Sequence, residues 1–385
     1  MLRIASSFDG GNIDVLAADT PDVIRLAIRQ DHQSEFLQWF YFRLSGARGQ
    51  PCRMTLTNAG QAAYPDGWAC YRAVASYDRQ DWFRVPADYD GTELTIRHTP
   101  ERDSVYYAYF APYPMERHAD LVARCSGHRL VRQQVLGTTL DGQDMDLLEI
   151  GSQGDGRAGD GRAGDGRKNC WLIARQHPGE TMAEWWMEGF LDRLLDDADP
   201  VSGALLDKAR FFVVPNMNPD GSRRGHLRTN AAGINLNRAW ADPSMESSPE
   251  VFLVRQRMLK TGVDFHLDVH GDEALPYNFL AGFDGIASLT DRQAGLYKRF
   301  QAALAQASPD FQTTHGYPPD APGTADLRKC TDYTAETFGC LAATLEMPFK
   351  DNADRPDATH GWSPARCRHL GRACLDALLM VVDDL

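Results

Sequence analysis

Three side chains in this sequence have the chemistry and the spacing to hold one divalent cation. In LIARQHPGETMAEWW an imidazole, His177, precedes a carboxylate, Glu180, by three residues, with a Pro-Gly turn between them. Such a pair can grip a metal ion from one side. The same spacing recurs at His32–Glu35 and His270–Glu273, so the pattern alone selects nothing. Position selects His177 and Glu180: a buried strand is expected to end at Gln176, and a helix to begin near Glu180. A third ligand, His270, closes GVDFHLDVH, where Val263, Phe265, Leu267 and Val269 alternate with polar residues as in a strand. The competing arrangement is a helical His-x-x-x-His pair using His266. It requires a glutamate after the first histidine, and Leu267 stands there, so His266 is read as a structural histidine. Two histidines and one glutamate leave a position open on Zn2+, the donor set of a catalytic rather than a structural site.

Further candidates lie between and beyond these ligands. The stretch VVPNMNPDGSRRGHLRTNAAGINLNRAW carries Arg228 and the pair Asn237-Arg238 after an NPDG turn. The planar fork of Arg238 can bind a carboxylate at two points, and Arg228 can face a carbonyl oxygen as it gains charge. Either arginine considered alone is read as a solvated surface residue. Glu346 falls in CLAATLEMPFKD, an otherwise apolar strand. A carboxylate there is costly unless paired or functional, and desolvation moves its pKa towards the range of a general base.

The elements that must position these residues fall into two textures. Residues 1–112 read as an antiparallel β-sandwich: IRLAIR, QWFYFRLSG, CRMTLTNAG, YRAVASY, ELTIRHT and SVYYAYFAPY alternate with turn clusters such as Tyr64-Pro65-Asp66-Gly67. From 113 to 385 strands and helices alternate, which predicts an α/β domain with a mixed, mostly parallel sheet flanked by helices. Sites in such sheets form beyond the carboxyl ends of strands, where His177 and His270 are expected. Within this region GDGRAGDGRAGDGR, Gly154 to Arg167, is a period-five repeat without core-forming residues and is expected to be a flexible surface loop. Loop length changes closure entropy by only about 0.6 kcal/mol per doubling. Deleting Ala158 to Gly164 should therefore leave activity and thermal stability almost unchanged, and a large loss of activity would assign the repeat a role.

Composition bounds the partners. The 385 residues carry 40 basic and 53 acidic side chains, a net charge of −13. That excludes the basic footprint of a nucleic-acid or anionic-membrane binder. No apolar run reaches the length of a membrane span and the N-terminus lacks a signal-peptide pattern, so a cytoplasmic location is expected. Of eight scattered cysteines without a C-x-x-C pair, most are expected to be buried, reduced thiols.

In order along the chain, HPGE (177–180), NPDG (218–221), HLRTN (226–230), NLNR (235–238), DVHG (268–271) and TLEM (344–347) resemble the zinc metallocarboxypeptidases of the funnelin type, specifically the cytosolic carboxypeptidase subfamily. QWFYFRLSG and YFAPYP resemble the β-sandwich that precedes the catalytic domain there. The resemblance implies removal of single residues from the C-terminus of a peptide or protein. It implies zinc on His177, Glu180 and His270, with Glu346 as the base that activates water and then protonates the leaving amine. It also implies Arg228 at the oxyanion, and Asn237 and Arg238 on the terminal carboxylate. Asn235 stands where the family usually has an acid that orients a ligand histidine, and the subfamily's H-G-H reads His270-Gly271-Asp272. Tyr317 and Tyr333 are the candidates for the family's mobile tyrosine. The specificity segment PGTADLRKCTDYTAETFG holds Arg328 and Lys329, and Arg328 is the candidate reader of an acidic C-terminal side chain. Two other readings are an acylase of the aspartoacylase and succinylglutamate desuccinylase type, which lacks the leading sandwich, and a binding protein without turnover.

Overall fold

The computed structural model describes residues 2–151 and 166–385. Most of the period-five repeat therefore lies outside the described residues.

Residues 3–108 form two five-stranded sheets. One runs Arg3–Ala5, Tyr41–Ser45, Ser104–Ala108, Ala73–Ser76, Phe83–Val85; the other runs Asp14–Thr20, Val23–Ala27, Cys52–Leu56, Leu94–His98, Ala87–Tyr89. Alternate residues such as Leu26, Met54, Ile96, Phe42 and Tyr107 are buried between them, as the period-two pattern requires. All pairings are antiparallel except that of Val23–Ala27 with Cys52–Leu56.

The second part is a seven-stranded sheet in the order Val131–Thr138, Asp144–Ile150, Ala209–Val214, Lys168–Ala174, Phe265–Val269, Leu341–Glu346, Phe279–Ala281. Its four central strands run parallel. They are nearly continuous apolar runs because helices cover both faces. Met182–Leu194 packs against Pro364–Leu379 at close range. A Cβ on Gly189 would lie 2.2 Å from the Arg368 carbonyl, and one on Gly371 2.2 Å from that of Trp186, so these glycines let the helix backbones touch. The chain leaves Lys168–Ala174 to one side for Ala209–Val214 and then returns to its other side for Phe265–Val269. The crevice of the sheet therefore opens at the carboxyl end of Lys168–Ala174.

The two parts share a tightly bonded seam. The guanidinium of Arg84 is buried and donates to the carbonyls of Phe349 (2.8 Å), Lys350 (2.6 Å), His360 (3.2 Å) and Trp362 (3.1 Å). Burial pulls its pKa down to about 10. Tyr109 stacks on Phe349 with ring centroids 4.5 Å apart. Among the described residues, no helix is long and apolar enough to cross a membrane. All eight cysteines are free thiols, and all but Cys70 are buried.

Candidate active site

Parallel register brings the first histidine to the second. Ala174 pairs with Val269, and Val269 with Leu345, so the chain beyond these residues delivers His177, His270 and Glu346 to one edge. The strand before His177 ends at Ala174 rather than at Gln176, because Arg175 adopts a left-handed conformation, φ 61°. That costly turn is held by its own side chain. Arg175 donates to the carbonyls of Pro178 (2.9 Å) and Tyr113 (2.7 Å) and pairs with Glu184. The helix starts at Met182, two residues later than expected, which leaves Glu180 on the turn. His270 directly follows its strand, and its N–H donates to the Leu345 carbonyl at 2.8 Å.

Among the described residues, His177, Glu180 and His270 form the group whose donor atoms converge tightly enough for one metal ion, all within 4.8 Å of one another and all buried. Glu180 presents Oε1 to His177 Nδ1 and Oε2 to His270 Nδ1, each at 2.7 Å. The outer nitrogens are engaged elsewhere: His177 Nε2 lies 3.0 Å from Asn235 Oδ1, and His270 Nε2 2.9 Å from Asp268 Oδ2. With those nitrogens donating, both Nδ1 lone pairs turn inward to within 3.2 Å of each other. Lone pairs facing one another beside a carboxylate ask for a cation, and two imidazole nitrogens with one carboxylate suit zinc with a position left open.

Asn235 thus occupies the orienting position of an acid and accepts as a neutral amide. Asp268, not singled out from the sequence, supplies the carboxylate behind His270. Gln176 holds Asp268 in turn at 2.6 Å, and Trp240 holds Gln176 at 2.8 Å.

The electrostatics agree with a site built for positive charge. Burial and Arg228 depress His177 to about 4, keeping it neutral and able to accept a cation. Burial disfavours a charged His270, yet Asp268 and Glu180 outweigh it and raise its pKa well above the ordinary imidazole range. Burial likewise disfavours ionised Glu180, but His177 and His270 hold it below the usual carboxylate range. A divalent cation would take the place of the proton that this arrangement favours.

A cavity of about 290 Å³ is lined by His177 and Glu180 of this group. Its wall includes Arg228, Asn237, Arg238, Glu346, Tyr317 and Lys329. Glu346 ends its strand, 7% exposed, and its Oε2 has no hydrogen-bond partner among the described residues. Burial raises its pKa well above the carboxylate range, and Glu180, Asp272 and Glu273 reinforce that. Asn237 accepts from the Cys330 N–H at 2.8 Å. Arg238 stays partly open, its nearest carboxylate Asp326 at 4.0 Å. The Arg228 guanidinium lies over the rings of Phe36 (5.6 Å) and Tyr64 (5.3 Å), both from the N-terminal sandwich.

The structure does not bring Arg328 to this cavity. Its side chain is 65% exposed and pairs with Asp326 at 2.8 Å. The neighbouring Lys329 turns inward instead, between Asp332 (3.1 Å) and Asp320 (3.3 Å). The segment's register decides this: Cys330 opens a helix whose first residues are buried, so Lys329 meets the wall while Arg328 remains outside. Tyr317 lines the cavity and donates to Asp272 at 2.6 Å. Tyr333 packs against Trp240 and Arg255 and is not among the lining residues. His266 is buried against Cys330 Sγ at 3.1 Å and takes no part in the ligand group.

Two family models divide the chain between them: the cytosolic carboxypeptidase N-terminal domain matches residues 4–110, and zinc carboxypeptidase matches residues 119–364. The chain belongs to the zinc carboxypeptidase family. It is a peptidase by that membership, and its mixed α/β architecture is that of carboxypeptidases. A metallo-carboxypeptidase from Burkholderia cenocepacia superposes with a TM-score of 0.94 at 50% identity, over 100% of this chain and 99% of that one. A metallo-carboxypeptidase from Pseudomonas aeruginosa, solved in complex with (2-guanidinoethylmercapto)succinic acid, gives 0.94 at 47% identity over 99% of both chains. An uncharacterized Zymomonas mobilis protein is 53% identical over 100% of this chain and 97% of its own length. Human cytosolic carboxypeptidase 1 is 26% identical over 66% of this chain, which spans only 23% of that protein.

Proposed function

We propose that this zinc carboxypeptidase removes single residues from the C-terminus of peptides or proteins in the cytoplasm, with His177, Glu180 and His270 as the zinc ligands. The carrying observation is that one cavity is lined by His177 and Glu180, two of the three converging donors, by a Glu346 carboxyl whose Oε2 has no partner among the described residues, and by an open guanidinium at Arg238. When bound, zinc supplies Lewis-acid polarisation and lowers the pKa of water. Arg238, beside Asn237, orients the substrate by its terminal carboxylate, a fork-to-carboxylate match. Glu346 takes a proton from the attacking water and returns it to the leaving amine. Arg228 faces the carbonyl oxygen as negative charge develops there. The chain divides near residue 112, the sandwich supplying two walls of the Arg228 pocket.

For the side chain of the departing residue we propose a preference for acid, read by Lys329 rather than Arg328. Lys329 is the cation at the cavity wall in that segment, and an acidic side chain would share it with Asp332 and Asp320. The test compares peptides ending in glutamate and alanine. Hydrolysis should release one residue, stop with a chelator and return with zinc, while an N-acyl aspartate stays intact. Lys329→Met should cut kcat/KM for the glutamate peptide roughly tenfold relative to alanine, about 1.4 kcal/mol for one charge contact, and Arg328→Glu should leave the ratio unchanged. Cleavage of the N-acyl aspartate alone would replace the carboxypeptidase reading with the acylase one. A wild-type preference for basic or apolar C-termini would remove only the specificity assignment.

A further inference from the structure

Asp31 belongs to the N-terminal sandwich and is 3% exposed. Its carboxylate accepts four hydrogen bonds, all from one short stretch of the α/β part: the backbone N–H groups of Leu227 (2.6 Å), Arg228 (2.7 Å) and Thr229 (2.9 Å), and the Thr229 hydroxyl (3.1 Å). Three successive N–H groups converging on one point form an anion-binding concavity, and here the anion is a side chain about two hundred residues earlier in the sequence.

The clamp has further jaws. The His32 N–H donates to His226 Nε2 at 3.1 Å, and His226 Nδ1 meets the Thr229 carbonyl at 3.0 Å. On the opposite side, the Leu227 carbonyl accepts from the N–H of Gly179, inside the turn that carries His177 and Glu180, at 2.9 Å. The Asp31 loop is itself tied, its N–H donating to the Phe36 carbonyl at 2.8 Å. Phe36 is one of the two rings on which the Arg228 guanidinium rests. Backbone and tip of Arg228 are therefore both fixed from the sandwich.

We propose that Asp31 is a positioning residue for Arg228, which makes the N-terminal sandwich a working part of the active site. This deepens the role given above to Arg228 and rests on it. A group acting on charge that exists only in the transition state contributes to kcat rather than to ground-state binding. Displacing its backbone should do the same.

The experiment is a double-mutant cycle in the zinc-loaded full chain with Asp31→Asn, Arg228→Ala and both. Asparagine keeps the shape but replaces one acceptor oxygen with a donor that opposes the N–H groups. Asp31→Asn should lower kcat by roughly 10- to 100-fold, the scale of a displacement of up to about 1 Å. KM should stay within about twofold, as expected for an interaction made only in the transition state. Zinc content and affinity for a non-hydrolysable C-terminal analogue should match wild type, readouts that a general loosening of the fold would move. The double variant should be no slower than Arg228→Ala. Losses that multiply, or wild-type kcat in Asp31→Asn, would overturn the proposal while leaving the Arg228 role intact. Wild-type kcat in Arg228→Ala would instead remove that role and the positioning with it. Thr229→Val removes one of the four donors and should give a smaller kcat loss that also disappears in the Arg228→Ala background, so a misfolded Asp31→Asn still leaves a decisive measurement.

Discussion

Glu346→Gln is expected to keep its fold and its zinc and to lose peptide hydrolysis by roughly 10²–10⁴-fold, the usual weight of general acid–base catalysis. The substitution preserves volume in a position only 7% exposed. It removes the one property proposed to matter, an exchangeable carboxyl proton. Among the described residues Oε2 has no hydrogen-bond partner to retain the charge, and burial makes the ionised form a strong proton acceptor. An amide fills the space and does no proton transfer. Single-turnover rates with zinc content measured on the same sample check this. A loss smaller than about tenfold, well below that range, would mean that another group moves the proton.

His270→Ala is expected to cost both metal and activity. Wild type should hold about one zinc per chain in a site of this kind. Removing His270 deletes a ligand and leaves Asp268 and Glu180 facing each other without the imidazole that separates them. Zinc affinity should fall by more than the roughly 10- to 100-fold that follows loss of an outer-sphere partner. Asp268→Asn, which keeps an acceptor behind His270, should stay within that smaller range. Metal analysis after chelator competition separates the two, and full zinc with full activity in His270→Ala would take His270 out of the site.

These residues were legible because the sheet puts chemistry at strand ends. Apolar runs that stop at a histidine, or at a lone glutamate, mark places where the carboxyl edge meets solvent. Strand limits were less legible. The kink at Arg175 comes from contacts with Tyr113 and Glu184, tertiary partners that no local pattern announces. The short sandwich strands Arg3–Ala5, Phe83–Val85 and Ala87–Tyr89 gave no separate signal. A run of three residues is too short to show alternation. Arg328 and Lys329 show the same limit at side-chain scale. Adjacent cations read alike in sequence, and only the helix start at Cys330 decides which one faces the cavity. Asp31 lay beyond reach altogether, since nothing near it in the sequence names its partners. Asp268 was the exception that could have been found: an acid two residues before a ligand histidine on a strand points to the same side as that histidine.

The buried guanidinium of Arg84 carries one more consequence. Four of its five carbonyl acceptors lie between residues 349 and 362, more than 260 positions later in the chain, and the fifth is Arg72 within the sandwich. A sandwich without that later stretch therefore carries an arginine with only the Arg72 carbonyl left of its five acceptors. It must keep that cation hydrated at a surface still waiting to be covered. The last strand of the sheet in chain order, with Glu346 at its tip, directly precedes those four acceptors. Closure of the Arg84 seam and placement of Glu346 thus depend on one continuous stretch of chain.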